Sequence, residues 1–239
     1  MFFSWKFCRK NVSLHHKEVR INVSRHYFYV QINVTYIMER LVLQQLKEWK
    51  NRKDRKPLIV NGARQVGKTW TLREFAKREY AKEAYVICRK NELVEQIFKK
   101  DFDVERILIS LCAVTHVDIT PGDTLIILDE VQEIPEAIEA LKYFCENAPE
   151  YHIAVAGSLL GLSLHHDVSY PVGKVNEIDI YPMSYGEFLL AKGEKQAYQL
   201  IEEHKYDITN LLHEKYVDLL RQYYYVGGMP EAVKKFTET

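Results

Sequence analysis

The feature that most constrains this chain is the octapeptide Gly62-Ala63-Arg64-Gln65-Val66-Gly67-Lys68-Thr69, which matches the pattern G-x-x-x-x-G-K-[ST] at every fixed position. It follows the apolar run Leu58-Ile59-Val60, and Leu72, Phe75 and Ala76 behind it share one face at helical spacing. Strand, glycine-rich loop and helix together make a phosphate cradle. Glycines allow backbone conformations and close approaches that a side chain would block. Successive N–H groups then converge on phosphate at a helix N-terminus, where the helix dipole adds to the attraction. Lys68 is expected to reach the β- and γ-phosphates of a nucleotide, and the Thr69 hydroxyl to ligate Mg²⁺. The expected nucleotide-binding set is Gly62, Ala63, Arg64, Gln65, Val66, Gly67, Lys68, Thr69 and, next in the helix, Trp70.

A second element corroborates the first. Thr124-Leu125-Ile126-Ile127-Leu128 is an unbroken apolar run of the kind a central parallel strand requires, and it ends in Asp129-Glu130. Carboxylates there emerge at the C-terminal edge of the sheet, where open α/β sheets bind ligands. Asp129 is placed to hold Mg²⁺ directly or through water, and Glu130 to polarise the water that attacks the γ-phosphate. The pair favours a hydrolase over a small-molecule kinase. A third strand, His152-Ile153-Ala154-Val155-Ala156, leads into Gly157-Ser158-Leu159-Leu160-Gly161. Ser158 fits either a sensor of the γ-phosphate or the N-cap of a following helix. The order G-S-x-x-G does not match the G-x-S-x-G elbow of serine hydrolases.

Around these elements strands and helices alternate. Helices are expected from Met38 to about Lys50, near Leu93–Lys99, over Val104–Val114 and after Ile134; further strands at Ala84–Cys88 and Val175–Tyr181; and helical structure from Tyr185 onward. Alternation at this spacing means βαβ units and a parallel sheet covered on both faces. Gly227-Gly228-Met229-Pro230 reads as a helix stop and restart. The basic stretch Arg52–Lys56 reads as a surface loop, and His165-His166 as solvated histidines without metal-ligand spacing. Tyr27–Ile32 alternates as a strand does, with no obvious partner, in a leader where Asn-Val-Ser/Thr recurs at Asn11, Asn22 and Asn33.

Composition excludes several classes. No apolar run approaches the roughly 18–20 residues of a spanning helix. The four cysteines form no C-x-x-C pair, and the first residues lack a signal-peptide pattern, so reduced thiols and a cytoplasmic location are expected. The formal net charge is zero, but it is segregated. Residues 1–37 hold six basic side chains and one acidic, leaving 27 basic and 32 acidic downstream, an acidic balance that disfavours non-specific nucleic-acid binding.

Taken together the motifs resemble those of the prokaryotic AAA-type ATPases known as predicted AAA+ superfamily ATPases. The resemblance rests on Gly62–Thr69, Leu128-Asp129-Glu130-Val131-Gln132-Glu133, Ala156–Gly161, Pro171-Val172-Gly173-Lys174, Tyr181–Leu189 and Gly227–Ala232. It implies an α/β fold: a P-loop NTPase of the additional-strand class, with a parallel sheet of about five strands flanked by helices and a small helical C-terminal lobe. It also implies ATP and Mg²⁺ as cofactors, Lys68, Thr69, Asp129 and Glu130 in the roles above, Ser158 as sensor, and Lys174 as a basic group for the γ-phosphate in cis or on a neighbouring subunit. The expected division is a basic extension at 1–37, an ATPase core at 38–182 and a helical lobe at 183–239, where family members continue into a second domain. The expected function is hydrolysis of Mg-ATP to drive or gate an interaction with a protein partner, in a homo-oligomer or alone. A nucleotide-dependent switch with little turnover and a nucleic-acid-dependent ATPase are the alternatives; no membrane partner is expected.

Overall fold

The structure, a computed structural model, describes residues 18–23, 26–31, 39–158, 170–205, 207 and 212–238. Leu159 to Gly161 and the His165-His166 pair lie outside the described residues. The chain divides into two compact units. One comprises Arg40–Ser184 with Met229–Glu231. The other takes in, among the described residues, an N-terminal hairpin and the stretches Tyr185–Gly228 and Ala232 onward.

The larger unit is built on a five-stranded parallel sheet. Its elements are α1 (Val42–Lys50), β3 (Leu58–Gly62), α2 (Lys68–Glu79), β4 (Lys82–Ile87), α3 (Glu92–Lys100), α4 (Val104–Thr115), β5 (Thr124–Asp129), α5 (Pro135–Asn147), β6 (His152–Ala156) and β7 (Asn176–Ile180). Strand order is β4-β5-β6-β3-β7, so β6 lies between the strand that enters the glycine loop and the strand that ends in Asp129. That inserted strand is the additional-strand arrangement. The period-two alternation of side chains divides the apolar residues between two cores. Ile59, Val86, Ile126, Leu128, Ile153 and Val155 face one core with α3, α4 and α5. Leu58, Val60, Leu125, Ile127, Ala154 and Ala156 face the other, with Leu46 and Trp49 of α1 and Leu72 and Phe75 of α2. Burial on both faces explains why β5 is apolar from Leu125 to Leu128, and each such side chain contributes about 1.5–3 kcal/mol.

Helix ends follow local chemistry. Asn91 caps α3 by accepting from the Val94 N–H at 3.3 Å, and Asp103 caps α4 through the Glu105 N–H at 3.1 Å. The basic stretch before β3 is more than a surface loop: the Arg55 guanidinium donates to the carbonyls of Pro149 and Tyr151, and Lys56 to that of Gly173. These bonds tie the starts of β3, β6 and β7 together at the edge opposite the glycine loop.

At that edge the Tyr80 hydroxyl pairs with Nδ1 of His152 at 2.7 Å, beside Trp49. Burial, with Arg55 and Lys50 nearby, pushes the His152 pKa down to about 4. The unfolded histidine titrates near 6.5, so the unfolded state takes up the proton first. This contribution to stability is complete above about pH 6.5 and is lost as pH falls towards 4. His152→Gln should flatten that part of the stability–pH curve, as read from urea midpoints at pH 7 and pH 4.5; an unchanged curve would show that His152 is not the titrating group.

In the second unit β1 (Glu18–Val23) pairs antiparallel with β2 (His26–Gln31), Ile21 opposite Phe28. The strand expected at Tyr27–Ile32 therefore has a partner, whose own alternation of Val19, Ile21 and Val23 with polar residues was the available signal. The helices Tyr185–Ala191, Lys195–Glu202 and His213–Val226 bury Leu189, Ala197 and Leu219 together. Phe188 packs against Tyr223 and, stacked, against Phe236. The helix His213–Val226 stops at Gly227, which has φ +75°, and Pro230 opens the helix Pro230–Glu238, as the Gly-Gly-Met-Pro sequence predicts.

Candidate functional site

The glycine loop leaves β3 through Gly62 (φ +155°), arches over exposed Ala63, Arg64 and Gln65, and enters α2 at Gly67 (φ +92°). Val66 turns inward and is fully buried in the core that holds Phe75. A Cβ at Gly62 would lie 2.4 Å from the Ile180 carbonyl oxygen of β7, so this close approach is open only to glycine. Because the N-cap of α2 is a glycine, no side chain competes for its first N–H groups. The loop is braced from behind by Arg40. Its guanidinium, 4 % exposed, donates to the Val66 carbonyl and to the Tyr181 carbonyl, each at 2.8 Å.

Lys68 folds over the loop and donates to the carbonyls of Gly62 (2.9 Å) and Ala63 (2.8 Å). Burial lowers its pKa, while Glu130 and Asp129 act in the opposite sense. From the next position the Thr69 hydroxyl donates to Oδ2 of Asp129 at 2.6 Å, joining α2 to the end of β5. Asp129 is 6 % exposed and accepts further bonds from the Tyr85 hydroxyl (2.9 Å, on Oδ2) and the Glu130 N–H (3.0 Å, on Oδ1). Hydroxyl and carboxylate oxygens so placed, beside a lysine and a cradle of backbone N–H groups, fit a hard divalent cation carried by a polyphosphate. Thr69 and Asp129 would hold that ion, which would neutralise charge on the transferred phosphoryl group.

Glu130 sits in the left-handed region at φ +53°, where the chain turns sharply out of β5. Its carboxylate accepts from Nε2 of Gln132 at 2.5 Å, and Oε1 of Gln132 accepts from the Ser158 N–H at 3.3 Å. Gln132 thus bridges the acidic end of β5 to the end of β6. Ser158 lies just beyond β6 at the C-terminal edge of the sheet, and the residues that follow it from Leu159 lie outside the described residues.

Two expected residues stand apart from this cluster. Trp70 is on the first turn of α2, 39 % exposed, and lines a shallow groove with Arg73, Lys77 and Tyr80. Lys174 is the other. It precedes β7, whose Asn176 pairs with Leu58 and whose Ile180 pairs with Gly62. At about 3.3 Å per residue, β7 alone carries Lys174 about 13 Å from the loop edge of the sheet. There it is ion-paired with Glu146 at the end of α5, at 2.8 Å. Strand direction thus sets Lys174 at the edge of the sheet away from the glycine loop.

Tyr85, Arg40 and the bridging role of Gln132 are not among the roles expected from sequence. A polar ring in Ala84-Tyr85-Val86 and the spacing Asp129-Glu130-x-Gln132 were the available signals for two of them; Arg40 has no local signal.

A glycine loop between a buried strand and a helix, facing an acidic strand end across an inserted strand, defines a P-loop NTPase of the AAA type. The model of the AAA domain family matches residues 54–189, more than half of the sequence, and the chain belongs to that family. No curated protein matches the chain. Among solved structures it is similar to the Orc1 protein of Aeropyrum pernix in complex with DNA, at 16% identity and TM-score 0.41, over 64% of this chain and 48% of that one. It is similar also to Cdc6p from Pyrobaculum aerophilum, at 16% identity and TM-score 0.41, over 66% and 51%. The chain spans about half the length of these two structures. Among the described residues no helix is long and apolar enough to cross a membrane.

Proposed function

We propose that the chain binds Mg-ATP and hydrolyses it to drive or gate an interaction with a protein partner. The observation that carries this reading is the 2.6 Å bond between Thr69 and Asp129, with Lys68 and Glu130 each one residue away. In this reading Lys68 neutralises the β- and γ-phosphates, Thr69 and Asp129 hold Mg²⁺, Glu130 takes the proton of the attacking water and Ser158 senses the γ-phosphate. Phosphoryl transfer depends chiefly on positioning and charge stabilisation, so a missing basic group costs much of the rate. Lys174, at the far edge of its own sheet, would serve only a nucleotide on a neighbouring subunit.

A second reading, a nucleotide switch with little turnover, is favoured by one feature. Both chemical groups are engaged within the chain, Lys68 by loop carbonyls and Glu130 by Gln132. The acidic balance from residue 38 onward supports a protein partner over non-specific nucleic acid.

The test is Mg-ATP turnover measured against protein concentration, for the wild type and Lys68→Ala. Turnover that depends on Lys68 and rises steeply with concentration is the expected result. Equal rates in the two proteins would remove the loop from the chemistry, and no turnover at any concentration would leave the switch.

A further inference from the structure

We propose that Tyr85 is a positioning residue that fixes the orientation of the Asp129 carboxylate and thereby sets the affinity for the metal–nucleotide pair. The inference rests on the Mg-ATP reading and extends it to a residue on a neighbouring strand. Tyr85 stands on β4 opposite Ile127 of β5, two positions before Asp129. Its hydroxyl donates to the same Asp129 oxygen that accepts from Thr69, at 2.9 and 2.6 Å, while the other oxygen accepts from the Glu130 N–H. A carboxylate on two rotatable bonds is free to turn; three donors from three directions remove that freedom. Thr69 would be drawn to the metal when a nucleotide binds. Tyr85 and the Glu130 N–H would then be the donors left to hold the carboxylate.

Tyr85 is itself held in place. The Arg73 guanidinium lies 4.9 Å from the centre of its ring, and Arg73 Nε bonds the Glu83 carboxylate at 2.8 Å. A phenylalanine would fill the same space without the donor. Groups that orient a metal ligand from behind typically control metal affinity by about 10- to 100-fold.

The experiment is a Mn²⁺ titration followed by electron paramagnetic resonance, with a non-hydrolysable ATP analogue on the full chain. Tyr85→Phe should weaken Mn²⁺ binding by about 10- to 100-fold and move the Mg²⁺ optimum for turnover upward. Binding of the analogue in EDTA should be unchanged. Arg73→Gln, which leaves the strand core untouched, should shift Mn²⁺ affinity in the same direction by a smaller factor, and stands in if Tyr85→Phe does not fold. Wild-type Mn²⁺ affinity in both variants overturns the assignment, as does an equal loss of analogue binding with and without metal. If the wild type binds no analogue, the Mg-ATP reading itself falls and takes this one with it.

Discussion

Glu130→Gln should bind ATP as tightly as the wild type and hydrolyse it about 10²- to 10⁴-fold more slowly, the range expected when a positioned general base is removed. The substitution leaves Lys68, Thr69 and Asp129 untouched, so the groups proposed to hold the phosphates and the metal remain. It also leaves the shape at the end of β5. Gln is no harder to place at φ +53° than Glu, and its amide can still bond Gln132. What it lacks is the ability to accept a proton from water. Single-turnover hydrolysis alongside fluorescent-nucleotide binding separates the two effects. A variant that turns over at the wild-type rate would move the base elsewhere; one that loses binding would make Glu130 a structural residue.

The second large effect is expected at Gly62, where stability responds before chemistry does. An added Cβ meets the Ile180 carbonyl oxygen at 2.4 Å, a backbone atom in the neighbouring strand, and Val66 Cγ2 at 3.1 Å. Neither swings aside as a flexible side chain would, because β3 and β7 are paired through this point and Val66 is fully buried. The backbone there, at φ +155°, also disfavours any residue with a side chain. Strain and overpacking together should cost about 2–6 kcal/mol for Gly62→Ala, a large part of a typical domain's stability. Urea denaturation followed by circular dichroism measures it. A loss below 0.5 kcal/mol, on the order of an ordinary surface substitution, would mean that the two strands separate at little cost.

The elements read most directly from sequence were those whose residues answer to one local rule. β5 and β6 are apolar because both of their faces are covered, and their ends fall within one residue of the run of apolar side chains. β4 begins two residues before its apolar stretch, at Lys82 and Glu83, because it is an edge strand and tolerates half-exposed charges. The order of strands follows from pairing between distant segments and leaves no pattern in any one of them. The site divides along the same line. Gly62 to Thr69 and Asp129-Glu130 are contiguous and carry their spacing with them. Tyr85, 44 residues before Asp129, and Arg40, 26 residues before Val66, act across the fold. Lys174 shows the converse: its motif said what it resembled, but only the parallel register of β7 with β3 showed which edge of the sheet it occupies.

The Arg40 brace bears on how the protein can be cut. The family match begins at residue 54, yet the guanidinium that holds the glycine loop against the end of β7 comes from outside it. The Gly67 position is bordered by that same guanidinium and by the Pro230 ring, from opposite ends of the chain. A fragment trimmed to the matched span would keep the glycine loop and Asp129-Glu130 and lose the groups that border the loop from outside it. The segment that keeps its glycine loop braced is therefore longer than the segment that the family match marks.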